Sequence, residues 1–240
     1  MNKQTTITFL LALVAMAGPA QELKIDVRSG SQSQIKRVAT TSDDFMEHMA
    51  MYGYEVFTYD ISSLRDSASG FTIVIREFDH QKMIDEKKLY GFRTKTMISD
   101  FNEQDQKSIY EEKDGDDMER GIYRLSKTLS IGFSPVQSDS IETITLRASR
   151  TDASPWKLTL KPIAGAPQTV YRYQKVPYQP TTYAIDTFIP LVFYGSFWWD
   201  EDAKGWRFCG DTELTEEKAK TSDYFKYCPN YYIIGVIFHK

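Results

Sequence analysis

The sequence predicts a mainly β protein, a β-sandwich of roughly nine or ten strands with two or three short helices. Three observations carry that expectation. Apolar and polar residues alternate over many short segments, the period-two pattern of a half-buried strand. Gly, Pro, Asp and Ser clusters punctuate those segments at short intervals. Fifteen Tyr, fourteen Phe and four Trp supply side chains that suit a pleated surface and fill the space between sheets.

Each element follows in order. Leu23, Ile25 and Val27 alternate with polar residues and predict an edge strand, followed by a flexible Ser29–Ser33 linker. Thr41-Ser-Asp-Asp44 has the form of a capping box, and Phe45, Met49 and Tyr52 recur at helical spacing up to Gly53. Two strands follow, Tyr54 to Ile61 and Phe71 to Glu77, joined by a Ser/Asp/Gly-rich loop, and a third runs from Tyr90 to Ile98. Asn102 caps a short helix ending near Tyr110, before the turn Asp114-Gly-Asp116.

A long strand is expected from Gly121 to Phe133, then Ile141 to Ala148, then Trp156 to Leu160. Pro162-Ile-Ala-Gly-Ala-Pro167 marks a sub-boundary near residues 162–168, or a long crossing between sheets. Beyond it lie a strand from Val170 to Val176, a hairpin from Leu191 to Gly210, a helix near Glu216 to Tyr224 and a last strand from Tyr231 to Phe238. In the hairpin, Asp202-Ala-Lys-Gly205 suits a turn with Gly205 in the left-handed position. Alternation puts Phe193, Phe197 and Trp199 on one face and Tyr194, Trp198, Arg207 and Cys209 on the other. The late helix is expected over that second face.

The first twenty residues, MNKQTTITFLLALVAMAGPA, read as an export signal. Lys3 precedes an apolar run from Ile7 to Ala17, and small residues offer a cleavage site between Ala17 and Gln21. The run is too short to cross a bilayer, and no later stretch is apolar enough to do so. Residues 21–240 are therefore expected as a single β-rich domain in the periplasm or outside the cell, without a transmembrane span. In that oxidising setting Cys209 and Cys228, the only two cysteines, are expected to form a disulfide that staples the late helix to the hairpin.

Net charge is −4, which excludes the basic footprint of a nucleic-acid binder. The acidic block Glu103–Glu119 and the basic block Leu146–Val176 read as solvated faces, or as partners of one another in the fold, rather than as marks of a charged partner. Catalytic and cofactor motifs are absent: the chain has no nucleophile elbow, zinc-protease helix, phosphate loop or dinucleotide fingerprint. Its three histidines, His48, His80 and His239, lack ligand spacing. Asp79-His80 reads as an exposed turn. Met46, His48, Met49 and Met51 offer soft ligands, but His48 projects away from Met46 and Met51 on a helix, so these methionines read as core filler. Asp114, Asp116 and Asp117 lack the spacing of a calcium loop. No catalytic residue, metal site or cofactor is assigned.

The aromatic supply is the feature that points to binding. Tyr171 and Tyr173 share a strand face with Lys175 and are expected at the surface. Together with Trp198 they form the candidate contact set for a glycan or another envelope protein. The late segment GSFWWDEDAKGWRFCGD, followed by CPNYYIIGVIF, resembles exported proteins of unknown function from gut-type Bacteroidetes; the resemblance implies no activity and no functional residue. Two readings remain. One is a non-enzymatic exported binding or scaffolding protein. The alternative is a hydrolase acting on glycans, whose acid pair assembles from distant Asp or Glu residues.

Overall fold

Two antiparallel sheets face one another across the main core, as the alternating segments require. The structure, a computed structural model, describes residues 39–240 except 65, 136–139, 150–153, 164, 181–182 and 209, and omits the side chains of residues 90 and 154. The expected export signal, the edge strand at Leu23 to Val27 and the linker after it lie outside the described residues.

The elements run in the order α1 (Ser42–Met51), β1 (Glu55–Asp60), β2 (Gly70–Asp79), β3 (Lys82–Arg93), β4 (Lys95–Met97), α2 (Glu103–Glu112), β5 (Ile122–Leu125), β6 (Thr128–Phe133), β7 (Ile141–Ala148) and β8 (Ser154–Thr159). They continue with β9 (Tyr173–Pro177), β10 (Phe188–Ser196), β11 (Trp198–Asp200), β12 (Gly205–Arg207), α3 (Glu216–Thr221), α4 (Asp223–Tyr227) and β13 (Asn230–His239). One sheet has the order β1-β6-β7-β8 and the other β3-β2-β13-β10-β9, while β4-β5 and β11-β12 are two-stranded ribbons. The segment around 162–168 carries the chain from β8 in the first sheet to β9 in the second.

The inward row of each strand builds the core between the sheets. Phe71, Ile73 and Ile75 of β2 and Ile234, Val236 and Phe238 of β13 meet Leu129, Ile131 and Phe133 of β6 and Ile144 and Leu146 of β7. Each such side chain contributes about 1.5–3 kcal/mol on burial. The opposite face of the five-stranded sheet has its own cover. There Phe193, Val176 and Tyr231 pack with Leu214, Tyr224 and Cys228. The second layer is thus built by α3, α4 and the chain around them.

Several expectations need correction. The stretch Gly121 to Phe133 is two strands, because the chain breaks at Ser126 and Lys127 to pass from the β4–β5 ribbon into the first sheet. Strand β3 begins at Lys82, far earlier than Tyr90, because the polar run KMIDEKK pairs with β2 as an edge strand, and pairing on one side needs no apolar row. The late helices cover the Phe193 face of β10 and not the Tyr194 face, since the first sheet already occupies the latter. In the hairpin turn the left-handed residue is Lys204, at φ 48°, and not Gly205. The capping box at Thr41 forms as expected, with Asp44 N donating to Thr41 Oγ1 at 3.1 Å and Thr41 N donating to Asp44 Oδ2 at 2.8 Å. The helix it starts nevertheless buries no residue among those described.

Candidate functional site

Strand β1 is the edge of one sheet and β9 the edge of the other, so the sandwich is open along the side where they approach. The opening is a groove of about 730 Å³, within the range of small-ligand sites. From β1 it takes the inward side chains Phe57 and Tyr59, from β10 Ile189 and Leu191, and from the segment after β9 Tyr178, Gln179 and Tyr183. Asp60 and Glu213 add carboxylates. Tyr59 donates its hydroxyl to the Leu191 carbonyl, fixing one wall to the other, and burial pushes its phenol well above the ordinary range. Tyr178 is buried, while Tyr183, also lining the groove, is 48% exposed.

A buried polar cluster lies toward the other end of β1. Glu142 stands in the inward row of β7 with Ile144, Leu146 and Ala148, and its side chain is only 2% exposed. Lys175 of β9 reaches across from the second sheet, its Nζ 3.0 Å from Glu142 Oε1 and its own side chain 11% exposed. Tyr194 of β10 donates its hydroxyl to Glu142 Oε2 at 2.5 Å. Lys175 also donates to the Gly53 carbonyl at 3.3 Å and lies 5.0 Å from the Phe133 ring centre. Glu55, at the start of β1, feels this cluster. Burial raises its carboxyl above the usual value, Lys175 opposes that shift and Glu142 reinforces it. These groups satisfy a buried charge; with Glu142 sealed, they offer no acid pair open to a substrate.

The residues expected to form a surface platform fall elsewhere. Tyr173 and Lys175 do share a face, but it is the inward one. The Tyr173 hydroxyl accepts from Lys161 N at 3.0 Å and donates to Lys161 O at 3.2 Å, with its ring 5.1 Å from that of Tyr194. Tyr171 packs half-buried against the main core. The expectation of an exposed Tyr171/Tyr173/Lys175 strand is corrected accordingly: β9 is an edge strand whose inner row closes the sandwich, and Val176 on its other side is buried by the late helices. Trp198 is partly exposed and stacks on Tyr227 with ring centres 5.7 Å apart.

Cys228 is buried, its Sγ 3.0 Å from the Ser196 carbonyl oxygen; as a thiol it is pushed by burial up to about 12. Its expected partner, Cys209, lies outside the described residues. His48 packs against Tyr52 and His80 pairs with Asp79 at 2.7 Å in the exposed β2–β3 turn. Among the described residues, no cluster of His, Cys, Asp or Glu could hold a metal ion, and no helix is long and apolar enough to cross a membrane.

Sequence reasoning missed Glu142, Glu55 and the groove. For Glu142 a signal was available, since an acid in the inward parity of Ile144, Leu146 and Ala148 requires a buried cation. For the groove none was, because its walls come from segments more than a hundred residues apart. No curated protein and no solved structure matches the chain. A family model does match, over residues 25–240, and that span places the chain in the family described as a domain of unknown function, DUF5041.

Proposed function

We propose that this domain acts by binding, and that its ligand is a glycan held in the groove between β1 and β9–β10. One observation carries the reading: aromatic walls, among them the exposed Tyr183, stand beside the carboxylates of Asp60 and Glu213 and the amide of Gln179. Aromatic faces take the C–H faces of sugar rings, while carboxylate and amide oxygens accept their hydroxyls. A flat protein partner would leave those polar groups unpaired within the groove, so the sugar fits better than an envelope protein. The alternative of glycan hydrolysis at this place is less well supported, because the groove brings together no carboxylate pair held away from water. The export signal at residues 1–20 and a Cys209–Cys228 bridge belong to the same proposal; N-terminal sequencing and non-reducing peptide mapping of the secreted form test them.

The binding itself is tested by calorimetric titration of the purified chain with a panel of neutral and acidic oligosaccharides. Tyr183→Ala should weaken the interaction by about 1–2 kcal/mol, roughly 5- to 30-fold in Kd, without altering the unfolding midpoint. Binding that is unchanged in Tyr183→Ala, or absent with every glycan, refutes the reading. Cleavage of the titrated glycans, lost on replacing Asp60 or Glu213, would establish the hydrolase instead.

A further inference from the structure

On the outer face of the five-stranded sheet, α3 and α4 pack at the end that carries Phe78, Phe193 and Tyr231. At its other end two glycines thin the sheet. Register places Arg93, Gly70 and His239 in one row across β3, β2 and β13, and Gly91, Thr72 and Ile237 in the next. A Cβ on Gly91 would meet nothing within 4 Å. The missing side chains leave a depression of about 390 Å³, lined by Thr72, His239, Arg93, Lys95 and Met97 among others.

A hydrogen-bonded chain ends in this depression. Thr72 Oγ1 lies 2.8 Å from His239 Nε2, and His239 Nδ1 lies 3.2 Å from Asp186 Oδ1. With its proton on Nδ1, the imidazole donates to Asp186 and accepts from the Thr72 hydroxyl. That is the order of a nucleophile, a base and an orienting carboxylate. Asp186 is held in a left-handed backbone, φ 59°, with its N–H donating to the Phe238 carbonyl at 2.8 Å. Non-glycine residues seldom adopt that conformation without cost; here the anchor fixes the carboxylate beside the histidine one residue further along β13. Across Gly70, Arg93 stands opposite His239 with its guanidinium 3.0 Å from Asp100, and Lys95 also lines the depression, so an ammonium borders the place where a substrate oxygen would develop negative charge.

We propose that the depression is an acyl-transfer site acting on small O-acyl esters, with Thr72 as nucleophile, His239 as base and Asp186 as a positioning residue. Thr72 Oγ1 attacks the ester carbonyl carbon while its proton passes to His239 Nε2. Collapse of the adduct breaks the acyl C–O bond, and the departing alcohol takes that proton. Water then attacks the acyl-threonine and gives a proton to Nε2; the Thr72 oxygen leaves with it, and a carboxylic acid is released. This site lies on the opposite face of β13 from the glycan groove, whose walls include Val236 and Phe238, so either can fail without the other.

The test is hydrolysis of p-nitrophenyl acetate by the purified chain, followed with acid-quenched intact-mass and peptide mapping for an acetyl group on Thr72. Thr72→Val should lower the rate at least about 100-fold, whereas Thr72→Ser retains activity and Asp186→Asn reduces it. Urea unfolding of each variant confirms that the sheet is intact. A Thr72→Val rate equal to that of the parent would show the histidine acting alone and overturn the proposal. Failure of the parent chain to hydrolyse the ester, or to form the acetyl-threonine, overturns it as well.

Discussion

Replacing Lys175 by Met should destabilise the domain by about 3–5 kcal/mol, because it strips the cation from a carboxylate that has no access to water. The magnitude follows from the surroundings of Glu142. Its side chain is 2% exposed, its ammonium partner stands 3.0 Å away, and the Tyr194 hydroxyl donates to it at 2.5 Å. At an effective dielectric near 20 the attraction at that distance is about 5 kcal/mol, enough to offset much of the cost of desolvating both ions. Removing one ion forfeits the attraction and leaves the other's desolvation uncompensated. Methionine keeps most of the stem volume, so the loss reports charge and not a cavity. Urea unfolding at about pH 7, followed by tryptophan fluorescence, measures it. The double variant Glu142→Gln with Lys175→Met removes both charges while keeping an acceptor for the Tyr194 hydroxyl, and should recover most of the loss, to within about 1.5 kcal/mol of the parent. If Lys175→Met costs less than about 1 kcal/mol with an unchanged denaturant slope, the pair is not the buried tie between sheets described above.

Two further outcomes follow from the same edge and the sheet behind it. Glu55 has its carboxyl raised by burial, with Glu142 adding to the shift and Lys175 opposing it. The folded state therefore holds that proton more tightly than the unfolded chain, so the group's contribution is present below its ordinary 4.5 and lost as the pH rises through the raised value. Glu55→Gln should accordingly melt higher than the parent at about pH 7 and together with it at about pH 3; equal melting at the higher pH would refute this. Gly235→Ala should cost about 1–3 kcal/mol, since the new Cβ would stand 2.4 Å from the Ile189 carbonyl oxygen and 2.5 Å from the Phe188 ring. Gly91→Ala, with nothing within 4 Å, is the control and should stay within about 0.5 kcal/mol in denaturant melts.

The strands were legible wherever one face is apolar. β7 has the bounds expected of it and β13 extends one residue beyond them at each end, because Ile144, Leu146, Ile234 and Val236 must all point into the core. Helix α1 was legible from its cap alone. Its amphipathic row, by contrast, misled: Phe45 and Tyr52 remain more than half exposed, as do Met46 and Met51, which read as core filler, because helical spacing states that a face is apolar and not that something covers it. The polar edge strand β3 was invisible at its start for the complementary reason. An edge needs pairing on one side only and can carry Lys82, Asp85, Glu86, Lys87 and Lys88 without an unsatisfied backbone.

The reading of β9 failed on a more specific point. By sequence Lys175 reads as a surface residue because it is charged, and it draws Tyr171 and Tyr173 to the surface with it. Parity alone could not decide the matter, since Tyr173 and Lys175 on one side and Val176 on the other are equally consistent with either face being buried. The deciding fact sits in another strand. Glu142 occupies an inward position between apolar neighbours, and a buried carboxylate in that row demands a cation from the facing sheet. Two charges of opposite sign, each standing where its own strand calls for an apolar residue, therefore constrain one another: both belong inside, and together they fix which face of β9 closes on β7. The groove follows from that orientation. With the inner row of β9 committed to the core, the open space left at the sandwich edge falls beyond Pro177, where Tyr178, Gln179 and Tyr183 face the inward side chains of β1.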